Sequence, residues 1–544
     1  MHEIVKTESQ LWNGFVRSSE RFPQRPAIQV GREITYSELA ERARRIAATI
    51  QAEITTSEVP LTAVFAYRSQ TAYAAVLGAL MAGHGYVPLN PAFPVERTRL
   101  MLTRSMCRSL VVDRESEVQL EVLLQGVEES LLILCPDRAD VSELAKRFLP
   151  HRILGAADLS APEQWRPKDV SPDAIAYLLF TSGSTGQPKA VMVSHANVLH
   201  YVDYVTRRYS ITCKDRVSQN FDLTFDLSAH DLFVAWQRGA CVCCPNKKQR
   251  FKPDDFIKGA GLTIWFSVPS TALFMHRLGV LKPDLYPHLR LSLFCGEALP
   301  AEITRRWALA APNSVIENIY GPTELTIACT AYRWNDKLSP EQCEHGIVPI
   351  GEPFDDMEVL IADENLEEVQ DGMAGELLMR GPQMSAGYWQ DEERTKPAFV
   401  AVPGKNGKVF YRTGDRVRRR GPGKLMVYLG RVDSQMQVLG YRVEMGEVEC
   451  AVRQVSGLDG VVAIGWPLTQ RGADGIEVFV EAETLDVTRL VAELRSKLPP
   501  YMVPRNIRLL RALPLNSNGK FDRQALLNIL QKESEAGIAA HSSW

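Results

Sequence analysis

Along most of the chain, segments with the polar–apolar rhythm of a helix alternate with short apolar runs. Residues 36–54 (YSELAERARRIAATIQAEI) read as a helix and are followed by the strand-like run 60–67 (PLTAVFAY). The stretch TAYAAVLGALMAGHGYVPL reads as a helix that turns at Gly83 and continues as a strand. Residues 174–180 (AIAYLLF) are almost wholly apolar, as expected of a strand covered on both faces. This alternation predicts an α/β protein with largely parallel sheets. Residues 403–424 read as turn-rich, followed by a strand at 425–430 (LMVYLG). Beyond GRVDSQ (430–435) the pattern tightens: VVAIGW and IEVFVEAE read as strands and VTRLVAELRSKL as a helix. We therefore expect a large core over 1–432, a small α+β domain over 433–530 and a frayed tail over 531–544.

Composition narrows the class. The 544 residues carry 62 Lys+Arg against 65 Asp+Glu, so bulk charge does not favour nucleic acid as a partner. Apolar residues at 45% and charged residues at 23% exclude collagen-like and disordered classes. Among the ten cysteines, Cys241 and Cys244 form a CxxC with no second pair to complete a zinc site, so buried thiols in a reducing compartment are expected. The first residues lack a basic segment followed by an apolar one, and no run of about 18 apolar residues occurs. The expectation is a cytoplasmic protein without membrane contact.

Candidate chemistry begins where the 174–180 strand runs into Thr181-Ser182-Gly183-Ser184-Thr185-Gly186-Gln187-Pro188-Lys189. Two glycines let the backbone approach a ligand, and four hydroxyls and an ammonium can donate to a phosphate. The spacing is not that of a Walker A loop, and a plain polar surface loop has the same composition. Further on, Asn318-Ile319-Tyr320-Gly321-Pro322-Thr323-Glu324 joins a tight turn to a hydroxyl and a hard oxygen ligand suited to Mg²⁺. Tyr411-Arg412-Thr413-Gly414-Asp415 places a carboxylate after a glycine turn, where it could accept hydrogen bonds from ribose hydroxyls. Gly430-Arg431-Val432-Asp433 and the late run containing Asn518, Gly519, Lys520 and Arg523 complete the series. Each motif alone reads equally as an ordinary turn or a surface charge.

Together and in this order, the motifs resemble those of the adenylate-forming superfamily, which includes acyl-CoA synthetases, firefly-type luciferases and the adenylation domains of nonribosomal peptide synthesis. AGHGYVPLNPAFP (82–94) is also similar to the N-terminal core of that family, so the resemblance covers nearly the whole chain. It implies a large core of mixed sheets flanked by helices and a small mobile C-terminal α+β domain. It implies ATP and Mg²⁺ as cofactors, with Thr181, Ser182, Gly183, Ser184, Thr185, Gly186 and Lys189 on the phosphates. Gly296, Glu297, Ala298, Asn318, Tyr320 and Gly321 would surround the adenine, with Tyr320 stacked on it. Asp415 and Arg431 would hold the ribose. Thr323 would touch the α-phosphate, Glu324 the metal, and Lys520 would bridge the substrate carboxylate and the α-phosphate. Asp433 would be the hinge. One departure stands out: Leu439 occupies a position where the family usually has Arg or Lys, which bears on the second half-reaction.

Chemically, such a site lets a carboxylate attack the α-phosphate of ATP, releasing pyrophosphate and leaving a mixed anhydride, because the cations neutralise two anions that must meet. Rotation about Asp433 would then admit a thiol. The segment FDLTFDLSAHDLF (221–233) resembles the substrate-recognition stretch of the family, with Asp226 matching the carboxylate that pairs with an amino group. The implied pocket is Asp226, Leu227, His230, Ser267, Leu293, Cys295, Ile319, Ile327 and Ala328. With no other full charge unless His230 titrates, it suits a small, mostly apolar amino acid. FDLS and FCGEALP resemble D-alanine–carrier-protein ligases, and free-standing prolyl-carrier ligases have a similar build, so proline and alanine-sized substrates both stay open. His230 reads either as a ring gating the thiol tunnel or as a packed histidine. No phosphopantetheine-attachment segment of the G-G-x-S type occurs, so a separate carrier protein is the expected acceptor. The alternatives are an acyl- or aryl-CoA ligase of the same superfamily and a non-catalytic nucleotide-binding homologue.

Overall fold

The computed structural model describes residues 9–55, 59–183, 187–420, 425–432, 435–469, 472–514 and 521–541, with side chains as far as 534. Contacts divide the chain into two units: one comprises 1–91, 98–180 and 189–432, the other 92–97, 181–188 and 433–544. Sheets of mixed type flanked by helices make up the first unit, and the second is a small α+β body.

Among the described residues, two of the three sheets in the first unit are parallel in their centres. One runs Arg152–Gly155, Leu132–Cys135, Ser109–Val112, Leu61–Phe65, Gly85–Leu89, Ile175–Thr181 and Lys189–Ser194 in spatial order. The other carries Val315–Tyr320, Leu291–Phe294, Ile264–Ser267, Arg216–Ser218, Cys241–Cys243 and Pro26–Val30 side by side and all parallel. Antiparallel strands close both of its edges. Strands covered on both faces need apolar side chains throughout, and Leu61–Phe65 and Gly85–Leu89 are buried at every position. Between them lies the helix Gln70–Met81, buried from Thr71 to Met81 and capped by Ser69, whose hydroxyl accepts from the Ala72 N–H. Gly83 takes φ +85° in the turn that follows, as the sequence suggests. The helix over Tyr36–Glu53 starts in a capping box, with Thr35 and Glu38 each accepting from the other's backbone N–H.

The third sheet is wholly antiparallel, and it corrects the reading of 403–424 as turn-rich. Turns occupy its beginning, where Gly404 and Gly407 both have φ +72°. Val409–Arg419 is one long strand between Ala374–Arg380 and Met426–Arg431. Its Arg/Thr/Gly/Asp composition concealed it, because β-propensity reflects packing against neighbours more than residue type. Gly414, at φ +71°, lies in this strand inside a register irregularity that spans Arg412 to Arg416, so the glycine marks a distortion within a ladder and not a turn.

In the second unit, Val461–Gly465, Ile476–Glu481 and Asn506–Leu510 form a sheet. The helices Met445–Ser456 and Val487–Lys497 share its apolar core through Val448, Val452, Leu490 and Leu494. A second cluster joins Leu526 and Leu530 to Val462 and Phe479. The helix carrying those leucines runs Arg523–His541, so the segment read as a frayed tail from 531 is helical up to His541. The residues there are mostly strong helix formers continuing a helix already anchored by Leu526 and Leu530.

Candidate functional site

The motif residues gather at the carboxyl ends of the parallel strands. Ser267 and Tyr320 end their strands, Cys295 directly follows Leu291–Phe294, and Asp226 lies on the chain leaving Arg216–Ser218. In open α/β sheets this is where the chain diverges and leaves room for a ligand.

Lys189 and Glu324, 135 residues apart, meet in a buried ion pair. Lys189 Nζ donates to Glu324 Oε1 at 3.0 Å and to the Tyr388 hydroxyl at 2.8 Å, and Tyr388 donates to the same carboxylate oxygen at 2.8 Å. The ammonium also lies 4.5 Å from the centre of the Tyr388 ring. Tyr388 escaped the sequence reading because it belongs to no motif named there. Among the described residues no group of three or more His, Cys, Asp or Glu could enclose a metal. A single hard carboxylate still fits Mg²⁺ bound together with phosphate oxygens, the manner in which this ion usually binds at nucleotide sites. Thr323 opens the short helical turn that holds Glu324.

A second group joins three predicted residues. The Tyr320 hydroxyl donates to Asp415 Oδ2, and Arg431 Nη1 donates to Asp415 Oδ1 at 2.8 Å and to the Thr413 carbonyl at 3.1 Å. Burial and the Asp415 charge push the Tyr320 phenol well above its ordinary pKa, so it stays protonated and donating. Gly321 lies against Ala328: a Cβ on residue 321 would come within 2.5 Å of the Ala328 Cα, so only glycine fits.

The nine pocket residues are all buried. Leu227, Leu293, Cys295, Ile319, Ile327 and Ala328 share the main apolar core. Asp226 is 4% exposed and begins a short helical turn without making a side-chain cap. Its charge helps to raise the pKa of Tyr86, Tyr177 and Cys295, with burial the larger cause in each. The His230 ring is held by the Tyr201 hydroxyl at 2.7 Å and lies 4.5 Å from the Phe266 ring. Burial depresses its pKa to about 3, so it stays neutral and adds no charge to the pocket. His230 and Asp231 begin a π-helical turn, His230–Val234, a local widening that the sequence did not announce.

Other predicted residues are used differently. The Asn318 amide donates to the carbonyls of Val348 and Pro349 and so tethers a loop. Glu297 accepts from the Ser270 N–H at 2.7 Å, and Gly296, at φ +89°, and Ala298 flank it. The Ser267 hydroxyl accepts from Trp265 Nε1 and donates to the Val268 carbonyl. Thr181, Ser182 and Gly183 fall in the second unit. There Ser182 Oγ donates to the Arg442 carbonyl at 2.8 Å, and the Gly183 N–H donates to Glu447 at 3.2 Å. Ser184, Thr185, Gly186, Asp433 and Lys520 lie outside the described residues. Leu439 is 47% exposed at φ +51°. All ten cysteines are free.

Parallel strands thus converge on a buried Lys–Glu–Tyr group, with a Tyr–Asp–Arg group beside the same turn. The chain belongs to the AMP-binding enzyme family: its model matches residues 15–389, and the model of the AMP-binding enzyme C-terminal domain matches 447–520. It is 32% identical over 534 residues to an L-proline--[L-prolyl-carrier protein] ligase of Pseudomonas fluorescens, covering 95% of this chain and 98% of that one. It is 29% identical over 504 residues to a D-alanine--D-alanyl carrier protein ligase of Bacillus licheniformis, covering 91% and 94%. It matches tyrocidine synthase 3 of Brevibacillus parabrevis at 32% identity but spans only 8% of that protein's length. Among solved structures, the Vibrio cholerae adenylation domain AlmE in complex with glycyl-adenosine-5'-phosphate superposes with a TM-score of 0.86 at 29% identity, covering 98% and 99% of the two chains. Among the described residues, no helix is long and apolar enough to cross a membrane.

Proposed function

We propose that the chain activates a small, mostly apolar amino acid as its adenylate and transfers it to the phosphopantetheine thiol of a separate carrier protein, in nonribosomal-peptide-type biosynthesis. The observation that carries this is Asp226, a carboxylate 4% exposed beside an otherwise apolar set of side chains. An α-ammonium would bring an opposite charge to this carboxylate, which a fatty or aryl acid would not. With His230 neutral, the rest of the pocket offers no partner for a charged side chain. The two carrier-protein ligases that match along almost their whole length support a carrier thiol as acceptor.

In this reading Asp226 holds the ammonium, and Leu227, Leu293, Cys295, Ile319, Ile327 and Ala328 enclose the side chain. Tyr320 supports the adenine, and Asp415, oriented by Arg431 and Tyr320, accepts from the ribose hydroxyls. The 181–189 loop receives the phosphates. Glu324 would hold Mg²⁺, which when bound with the triphosphate supplies charge neutralisation. Lys189, already paired with Glu324, is placed to shift toward phosphate oxygens. Lys520 bridges the substrate carboxylate and the α-phosphate, and the boundary at Asp433 serves as the hinge between half-reactions.

The test is ATP–pyrophosphate exchange with all twenty amino acids, their D-forms, and a set of fatty and aryl acids. Exchange with one or a few small apolar amino acids is the expected result. Exchange with fatty or aryl acids alone would identify a CoA-type ligase, and none with any acid would identify a non-catalytic homologue.

A further inference from the structure

The loop that follows Glu324 carries two residues in an unfavourable conformation, the pocket residue Ile327 and its neighbour Thr326. Thr326 has φ +57° and Ile327 φ +72°, both in the left-handed region and neither of them glycine. For a β-branched residue such as isoleucine this is a genuine outlier, and it persists only where the surroundings over-determine it. The loop's own backbone bonds are short-range ones, such as Leu325 N–H to the Pro322 carbonyl and Ala328 N–H to the Thr326 carbonyl.

Bracing comes from a segment about sixty residues further on. Gln383 is fully buried, and its amide nitrogen donates to the carbonyls of Leu325 at 3.2 Å, Thr326 at 3.3 Å and Ala328 at 2.7 Å. Thr326 Oγ1 donates back to the Gln383 carbonyl at 2.6 Å. The three loop carbonyls can only accept, which requires the nitrogen end of the amide to face the loop, and the Gln383 amide oxygen lies 3.2 Å from His200 Nδ1. Two residues on, the Ser385 N–H donates to the Glu324 carbonyl at 2.9 Å. One short segment therefore holds the backbone on both sides of Ile327 as well as that of Glu324.

We propose that Gln383 is a positioning residue for substrate selection: it holds Thr326 and Ile327 in their left-handed conformation and thereby sets the wall that measures the amino-acid side chain. The inference rests on the function proposed above, since it assigns Gln383 to the same pocket. Without the amide, the loop relaxes toward negative φ and the Ile327 and Ala328 side chains move, while the Tyr320–Asp415–Arg431 group keeps its own bonds. Amino-acid recognition then suffers more than ATP recognition.

The experiment is exchange kinetics on the full chain with Gln383→Leu, which keeps the bulk and removes the donors. The amino-acid KM is expected to rise at least tenfold and the ATP KM less than threefold, with weaker discrimination between side chains of neighbouring size. Adding Thr326→Gly to that variant should recover part of the loss, because glycine adopts φ +57° unaided. If Gln383→Leu does not fold, Gln383→Asn, which keeps the amide on a shorter stem, should show the same split at smaller amplitude. An unchanged amino-acid KM with kcat lowered only in proportion to the active-site titre would overturn the proposal, as would equal rises in both KM values. Wild-type enzyme assayed alongside separates the two levels. Normal wild-type exchange with unmoved variant KM values defeats only the bracing role, whereas wild-type enzyme that exchanges with no amino acid defeats both.

Discussion

Asp226 shows how one buried charge can indicate a substrate. Its surroundings are tyrosines, a thiol and aliphatic groups, in which an unpaired ligand ammonium would be strongly disfavoured. Asp226→Ala is therefore expected to lower kcat/KM for the amino acid by at least about 100-fold, the equivalent of leaving a buried charge without its partner. The ATP KM should move little. Exchange kinetics at varied amino acid and ATP check this, and unchanged turnover would favour a CoA-type ligase. His230 carries the opposite lesson: a histidine in a recognition stretch invites a titrating role, yet burial depresses its pKa to about 3 and the Tyr201 hydroxyl holds its ring at 2.7 Å.

At the level of elements, the long strand Val409–Arg419 matters most. Asp415 faces Tyr320 and Arg431 because the ladder is distorted next to it and Gly414 takes φ +71°. A Cβ in that conformation costs roughly 1–2 kcal/mol. Gly414→Ala should therefore raise the ATP KM about five- to thirtyfold, at tenfold per 1.4 kcal/mol, with the amino-acid KM nearly constant. Nucleotide titration by calorimetry provides an independent check. The Ser385–Glu324 backbone bond and the Lys189–Glu324–Tyr388 group likewise depend on elements placed side by side by the fold.

For the whole molecule, burial of three imidazoles sets an acid limit. His84 and His195 are held to about 4 and His230 to about 3, each from an ordinary value of 6.5 and each chiefly by burial. Their depressed pKa values mean that the unfolded chain takes up protons that the folded one refuses. The associated stability is complete above pH 6.5 and is lost as the pH falls toward 4, by at most about 1.4 kcal/mol per histidine per pH unit. The urea midpoint should accordingly be clearly lower at pH 5.0 than at pH 7.5, and equal midpoints would contradict the burial of these rings. The two half-reactions provide a second test at this scale. Lys520→Ala should slow adenylate formation by about 100-fold or more, the usual effect of removing one group that stabilises developing charge. Thioester formation from a preformed adenylate should be spared, and equal loss in both steps would contradict the assignment of Lys520 to the first.

The alternation of helical and apolar segments was enough to indicate α/β architecture, since burial on both faces of a parallel strand leaves few residue types possible. The ordered motifs were enough to indicate the family, because close backbone approach, phosphate contact and metal binding each demand particular side chains at short spacing. Tyr388, Gln383 and the inward turn of Asp415 were not legible, because each acts through partners tens to about two hundred residues away. Local pattern records which face of an element is apolar. It does not record which distant carbonyl a buried amide will meet, and that was decided only when the sheets and the antiparallel layer packed together.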